Sequence, residues 1–466
     1  MQSEHTQLVR GLGLIAAISI NVANVIGTGV FLKARVITCN VGSPGKALMV
    51  WVFAGLLSLA GALTYAELLA MMPRAAGEYG IIRDAYGRLF GFIYGWTTFL
   101  IARTASAAAL AIGFAIFLND LLGGVLKQTY FEYTLPGGHH LSFGRLQLVA
   151  LSAIIVTTLI NCAAVRVSGG VATLLSGLKV VLLVGIGVGA FLYSDGNWGN
   201  LGMANTGGAC EDVAITTGGF VGLAAGMLGA LWAYDGWNNL TFLAGEVKNP
   251  GRNLPLALIG AGLLIMALYL FINVSYYHVL TPTQIADVPA SSSVAAEVVR
   301  RLLGSVAVTL MAAAMMTSSF GALHASLLAT SRVPYALAKD GLVVKSLAHV
   351  SKTHVPVRAL IVLCVWACVV ALSGSFDTLT DYAIFALTLF YALVAASVFI
   401  FRRKMPEAER TYRVWGYPFV PIIFLTVSAW LIVTTIYNTP RQSAIGLGLI
   451  MLGVPVYYLL DRRRST

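Results

Sequence analysis

Charge is scarce in this chain. Lys, Arg, Asp and Glu make up 11% of its 466 residues, while 58% are hydrophobic. Soluble domains carry about 25% charged and roughly 45–50% apolar residues. The scarcity excludes a soluble enzyme or binding module and indicates an integral membrane protein with little mass outside the bilayer. Cysteine is also sparse. Cys39, Cys162, Cys210, Cys364 and Cys368 show no spacing that suggests a structural zinc site. Cys162, Cys364 and Cys368 lie in apolar runs, where cysteine packs as a small hydrophobe. Cys39 and Cys210 fall in outer loops, and whether they pair depends on a distance that spacing does not fix. The histidines, at 5, 139, 140, 278, 324, 349 and 354, lie mostly in loops. With no paired carboxylate spacing, the chain offers neither a nucleophile–base pair nor metal ligands at one depth. No catalytic residue, metal or cofactor is expected. The short alternating segments of an outer-membrane barrel are missing. So is the basic stripe on a soluble domain that nucleic-acid binding requires, and so is a soluble output domain of the kind a sensor brings.

What is present is a series of long apolar runs, each the length of a transmembrane helix. They fall at about 11–32, 46–71, 89–119, 145–163, 170–193, 216–244, 254–279, 304–331, 358–373, 379–401, 418–437 and 442–460. The expectation is an all-α membrane protein of twelve transmembrane helices. The first run has no convincing cleavage site after it and is expected to stay as the first helix. Placing both ends in the cytoplasm puts most basic residues inside. Among them are Arg10, Arg74, Arg83, Arg88, Arg166, Lys248, Arg252 and the groups 332–358, 402–413 and 462–464. Lys33, Arg35, Lys46, Lys127, Arg145, Arg300, Arg301 and Arg441 fall outside. This is the positive-inside bias of a multi-pass protein of the cell (inner) membrane, and it accounts for the net charge of +11. The segments Arg332–Arg358 and Arg402–Lys404 read as solvated, topology-setting faces that can attract anionic lipids.

Only Arg103 and Lys179 remain among the basic residues, each near mid-depth of a run. Either can be a satisfied structural charge that caps backbone carbonyls. Structure suits Arg103 better, whereas Lys179 is read as functional. Glu67, near a membrane edge, reads as structural, paired with a loop base or hydrated. The polar outer stretch 120–144 is read as a loop, and the amphipathic outer segment Pro282–Arg301 can form a short lid helix.

Two runs are interrupted. The first contains Ile26-Gly27-Thr28-Gly29-Val30-Phe31, which is either a small-residue packing face or an unwound segment whose N–H groups receive an anion. The sixth contains Leu231-Trp232-Ala233-Tyr234-Asp235-Gly236-Trp237-Asn238. A carboxylate at bilayer depth is costly, and glycine weakens a helix by about 1 kcal/mol relative to alanine. Gly27 and Gly236 are 209 positions apart (236 − 27). Paired interruptions of this kind point to an inverted repeat with a binding site at the breaks. The repeats would span 1–205 and 206–403, with 404–466 as accessory helices.

The motifs together carry a resemblance. IGTGVF at 26–31, TYAEL…MPRAAGEYG at 64–80, LWAYDGWNNL at 231–240, GEVKNPGRNLP at 245–255, SRVPYALAKDG at 331–341 and YRVWGYP at 412–418 resemble the amino acid–polyamine–organocation superfamily. Within it, they resemble the bacterial and L-type amino acid transporters. The resemblance implies a LeuT-type five-plus-five inverted repeat. It implies a substrate α-carboxylate held by the N–H groups of Gly27, Thr28 and Gly29. The α-amino group would be held by carbonyls near Val25, Ile26, Trp232 and Ala233, with Trp232 as a gating aromatic. It also puts Lys179 where sodium-coupled relatives hold a cation, which argues for sodium-independent exchange and leaves proton symport open. Two departures matter. Asp235 stands where many L-type members have a small residue. It either extends the substrates to cationic amino acids or caps the second half of its helix. No cysteine lies between Asn119 and Arg145, so no disulfide-linked heavy subunit is expected.

Overall fold

The computed structural model describes residues 10–72, 77–135, 139–163, 165–193, 195–210, 213, 219–289, 292–373, 376–438 and 440–465. Pro73–Ala76 of the second motif, His5 and the start of the sixth run therefore lie outside the described residues. The chain opens with a broken helix. α1 (Leu14–Val25) and α2 (Gly29–Val41) meet at a bend of 44°. α3 spans Pro44–Met71 and α4, an amphipathic piece, Gly77–Tyr86. α5 (Arg88–Thr97) runs through a π-helical turn at Thr98–Ala102 into α6 (Arg103–Leu121). Strands β1 (Thr129–Leu135) and β2 (His139–Gly144) pair antiparallel before α7 (Arg145–Asn161) and α8 (Val165–Tyr193).

The second half opens with α9 (Gly219–Tyr234), which ends in a turn and a 3₁₀ helix at Asn239–Glu246. α10 (Pro250–Val279) follows, then the short α11 (Pro282–Ala286) and α12 (Val294–Leu303). α13 (Ser305–Thr330) leads into α14 (Arg332–Lys339), and α15 covers Val357–Ala371. α16 (Phe376–Lys404), α17 (Phe419–Asn438), α18 (Pro440–Met451) and α19 (Gly453–Ser465) complete the chain. Among the described residues eight helices are long and apolar enough to cross a membrane, and the bent α1–α2 pair makes a ninth. α7 and α15 are shorter apolar helices. The architecture is that of a multi-pass membrane protein. α2 packs on α9, α1 on α8 and α10, and α6 on α13, which brings the two interrupted helices together.

Four expectations need correction. The first run extends beyond residue 32, because Lys33 and Arg35 lie within α2 at 4% and 6% exposure. Buried charges look like a helix end in a hydropathy reading, but here they are taken inside. The stretch 120–144 is not simply loop. Its aromatic and β-branched residues form the paired strands β1 and β2, in which the rings of Phe131 and Tyr133 stack at 6.4 Å; the described residues are therefore helical with one small sheet. Arg332 is not a solvated charge. It is fully buried and forks onto Glu246, with Nε to Oε1 at 2.9 Å and Nη2 to Oε2 at 3.1 Å. Finally, Cys39 sits in the last turns of α2 rather than in a loop, and it forms a disulfide with Cys210, Cα to Cα 5.9 Å. The bond ties α2 to the segment around Cys210, beside Ala286 of α11.

Other readings hold. Glu67 is structural: it accepts from Arg402 Nη2 at 2.7 Å, from the Val414 N–H at 2.7 Å, and pairs with Arg410 at 3.3 Å. The segment Pro282–Arg301 is helical in α11 and α12, and α12 buries Val294, Ala295, Val298 and Val299 and packs on α13. Removing one partner of a fully buried ion pair leaves the other charge uncompensated and costs about 3–5 kcal/mol. Glu246→Gln is therefore expected to lower the thermal unfolding temperature of the detergent-solubilised protein sharply. An unchanged melting curve would mean that the Glu246–Arg332 pair does not hold α14 to the 3₁₀ helix.

Candidate functional site

The site grows from the two helix breaks. α1 stops because Ile26 leaves the helical region (ψ 89°), and α2 restarts at Gly29. Thr28, at the start of α2, makes no capping bond with its side chain. Its hydroxyl is buried without a hydrogen-bond partner among the described residues. The first N–H groups of a helix lack intrahelical acceptors and carry the positive end of its dipole, so this corner can receive an anion. α9 stops at Tyr234 because Gly236 takes φ +98°, a conformation that a side chain rarely tolerates.

The breaks touch. A Cβ built on Gly29 would lie 2.5 Å from Ala233 Cα, and one on Gly236 would lie 3.0 Å from the Asn24 carbonyl. Here glycine serves close backbone approach in both helices. Asn239 Nδ2 donates to Asn24 Oδ1 at 2.8 Å, and Asn24 Nδ2 donates to Ile20 O at 2.8 Å, so a side-chain bond also joins the two segments.

The carbonyl ends of the broken helices have identifiable donors. The Lys179 ammonium, carried by α8 and buried, donates to Ala23 O at 2.8 Å and to Ile26 O. Ser318 of α13 donates to Ile26 O at 3.2 Å. The Tyr269 hydroxyl of α10 lies 3.1 Å from Val25 O and 2.8 Å from Ala233 O, bridging the two breaks. A phenol has one proton to give, so it serves one of these carbonyls at a time.

One cavity lies between the breaks. Val25, Gly27, Thr28, Gly29, Trp232 and Asp235, all singled out from sequence, line it. Ile26 and Ala233 do not; their carbonyls face Ser318, Lys179 and Tyr269 instead. Lys179 stands behind the wall. Gly236, the glycine of the second break, also lines it, and Asn24, Arg103, Ser106, Leu110, Asn239 and Ser326 complete the lining. Sequence reasoning passed over these six as site residues, along with Tyr269 and Ser318.

Arg103 does not cap carbonyls. Its Nη1 donates to Asp235 Oδ2 at 2.7 Å, and its Nη2 to Asn238 Oδ1 at 2.9 Å and to the Tyr391 hydroxyl of α16. Tyr391 in turn donates to Asp235 Oδ1 at 2.7 Å. Asp235 thus spends both oxygens on Arg103 and Tyr391 rather than on helix N–H groups. Asn238 Nδ2 continues the network to Glu78 of α4, a fully buried carboxylate that also accepts from Tyr94 at 2.6 Å. The chain of bonds connects the cavity wall to the amphipathic α4.

A family model described as amino acid permease matches residues 12–460. The chain belongs to the amino acid permease family. This permease is accordingly a transporter and not an enzyme, in agreement with the superfamily that its motifs resemble. It is similar to the large neutral amino acids transporter small subunit 2 of Homo sapiens, at 30% identity over 97% of this chain and 80% of the relative. It is 28% identical to the serine/threonine exchanger of Bacillus subtilis (strain 168), over the whole of both chains. It is 30% identical to the cystine/glutamate transporter of Homo sapiens, over 98% of this chain and 86% of the relative.

Proposed function

We propose that this permease exchanges neutral L-amino acids across the cell membrane by alternating access, without sodium. The observation that carries the reading is the meeting of two helix breaks at one buried cavity, lined by Gly27, Thr28 and Gly29 at the start of α2 and by Val25 and Trp232 at the ends of α1 and α9. A zwitterion needs both kinds of partner close together in a dry site, and half-helix ends supply them without charged side chains. In this reading Gly27, Thr28 and Gly29 take the α-carboxylate, carbonyls at Val25 and Trp232, whose residues line the cavity, serve the α-ammonium, and Trp232 closes over the substrate; the Ile26 and Ala233 carbonyls, taken by Lys179, Ser318 and Tyr269, hold the breaks in shape. Lys179 substitutes for a coupling cation, supported by its ammonium lying among carbonyls at the α1 end. Cationic substrates, which a free Asp235 would invite, are disfavoured by its pairing with Arg103.

The wider frame is a LeuT-type arrangement of twelve transmembrane helices, with repeats over 1–205 and 206–403 and accessory helices over 404–466. The broken α1–α2 and α9 at corresponding places support it. Both termini face the cytoplasm in this frame. The Cys39–Cys210 disulfide supports that orientation, since disulfides persist outside the reducing cytoplasm and this one falls on the outer side. The permease is proposed to work without a disulfide-linked heavy subunit.

A second reading, proton-coupled symport, is favoured by the buried Glu78, which the Asn238 and Arg103 hydrogen bonds link to the cavity wall. Uptake into liposomes separates these readings. Exchange predicts labelled amino acid entry that requires preloaded amino acid and is unaffected by sodium or a pH gradient. Symport predicts entry into empty liposomes driven by an inward proton gradient. Binding without entry under either condition would leave a membrane sensor.

A further inference from the structure

We propose that the Arg103–Asp235 ion pair sets the substrate class. It makes the side-chain end of the cavity electrically neutral and hydrogen-bonding, selecting neutral amino acids with hydroxyl or carboxamide side chains. The inference rests on the exchange reading for its zwitterion end and adds the recognition of the side chain.

The charges at the cavity are few. Arg103 and Asp235 are the ionisable residues in its lining, and they neutralise each other at 2.7 Å, with Arg103 only 1% exposed and Asp235 8%. Behind them, Tyr391 occupies the second Asp235 oxygen and Asn238 leads to Glu78. On the far side, Lys179 is turned to the Ala23 and Ile26 carbonyls. A cationic side chain at Asp235 would either displace the guanidinium or share the carboxylate with it, and both leave one buried positive charge without a counter-ion. An anionic side chain could meet the Arg103 Nε–H, which has no hydrogen-bond partner among the described residues, but it would set a second buried carboxylate against Asp235 with one cation between them. Removing one partner of a buried pair is far more costly than exchanging a surface contact.

The remaining polar atoms favour a hydrogen-bonding guest. Ser326 Oγ and Asn239 Oδ1 lie in residues that line the cavity and are 3% and 2% exposed. Neither atom has a hydrogen-bond partner among the described residues. A hydroxyl or carboxamide side chain brings donors and acceptors to them. An aliphatic side chain would bury them unpaired, which carries their full desolvation cost. A site built to hydrogen-bond its substrate rejects analogues that lack the group much more strongly than an apolar pocket discriminates by size.

The test begins with the unaltered permease in liposomes loaded with L-serine. Uptake of labelled L-serine is competed by threonine, asparagine, glutamine, leucine, lysine and glutamate. The polar neutral competitors are expected to act at least about 10-fold more strongly than leucine, lysine or glutamate. Equal competition by lysine or glutamate would overturn the inference. Arg103→Gln, which frees the carboxylate, is expected to raise competition by lysine at least about 10-fold, and Asp235→Asn to raise competition by glutamate to a similar degree. The double variant Arg103→Gln/Asp235→Asn, with no buried net charge, is expected to reject both again. Melting curves show whether each single variant folds. Where one does not, the unaltered protein and the double variant decide, and a double variant that admits either charged amino acid contradicts the inference. Should no labelled amino acid enter at all, exchange fails as the activity and thermal stabilisation in detergent still reads selectivity. Stabilisation by serine and glutamine without lysine or glutamate supports the ion-pair assignment; any other pattern overturns it.

Discussion

Lys179→Ala is expected to reduce amino acid exchange by at least about 10-fold while the protein still inserts and folds. The physical reason lies at the end of α1. Its last carbonyls have no intrahelical partners, and water is scarce at this depth. The Lys179 ammonium supplies donors to Ala23 O and Ile26 O. Leaving a buried acceptor unmet costs about 1–3 kcal/mol, and each 1.4 kcal/mol is a factor of ten in an equilibrium. Ser318, 3.2 Å from Ile26 O, can serve that carbonyl in the variant, but Ala23 O is left to itself. The one acceptor left unmet therefore shifts the break away from its binding-competent shape by about one order of magnitude. Arginine should not substitute well, since its planar fork differs from a compact ammonium. The check is exchange rate per inserted protein, with its pH dependence. Normal exchange with an unchanged pH profile would remove Lys179 from the mechanism.

Gly29→Ala should be comparably damaging, for a steric reason. The added methyl would lie 2.5 Å from Ala233 Cα and 2.7 Å from Ala233 Cβ. The obstacle is a backbone and the first atom of a side chain, so no rotamer change relieves it. α2 and α9 must separate, and overpacking of this kind costs about 1–3 kcal/mol or more. The larger effect falls on function, because both halves of the cavity move apart, and misplacement of a site by about 1 Å can cost 10²-fold. Gly260→Ala is the control. A methyl there meets nothing within 4 Å and should leave both stability and exchange nearly unchanged. Exchange by Gly29→Ala at the rate of the Gly260→Ala control would show that close contact of the two breaks is dispensable.

Both broken helices were legible because glycine, threonine and a carboxylate interrupt apolar runs, and that contrast survives in a single sequence. That the two breaks meet is visible in the fold, where Gly29 lies against Ala233 and Gly236 against Asn24. The end of the first helix was not legible, since Lys33 and Arg35 mimic a membrane boundary while lying buried in α2. Arg332 misled in the same manner. Its partner Glu246 lies 86 positions away, and only the fold shows that the two charges cancel in the interior. Arg103 stood out by its depth, but its meeting with Asp235 spans 132 positions. Tyr391 gave no signal at all, as a tyrosine in an apolar run resembles ordinary packing. Tyr269 was hidden for the same reason, and its position between Val25 O and Ala233 O follows from where α10 crosses both breaks. The paired strands β1 and β2 carried alternating aromatics that a search for helical spans ignores.

The central claim is that the two helix breaks together hold the zwitterionic end of an amino acid. Its most direct measurement is competition against labelled L-serine by analogues lacking one charge: the amine without its carboxylate, the hydroxy acid without its ammonium, and the amino acid methyl ester. Each analogue keeps the side chain intact, so any loss of binding belongs to the helix ends. All three are expected to compete at least about 100-fold more weakly than serine, since each leaves one set of buried backbone groups unpaired. Competition by any of them within a few-fold of serine would contradict the claim.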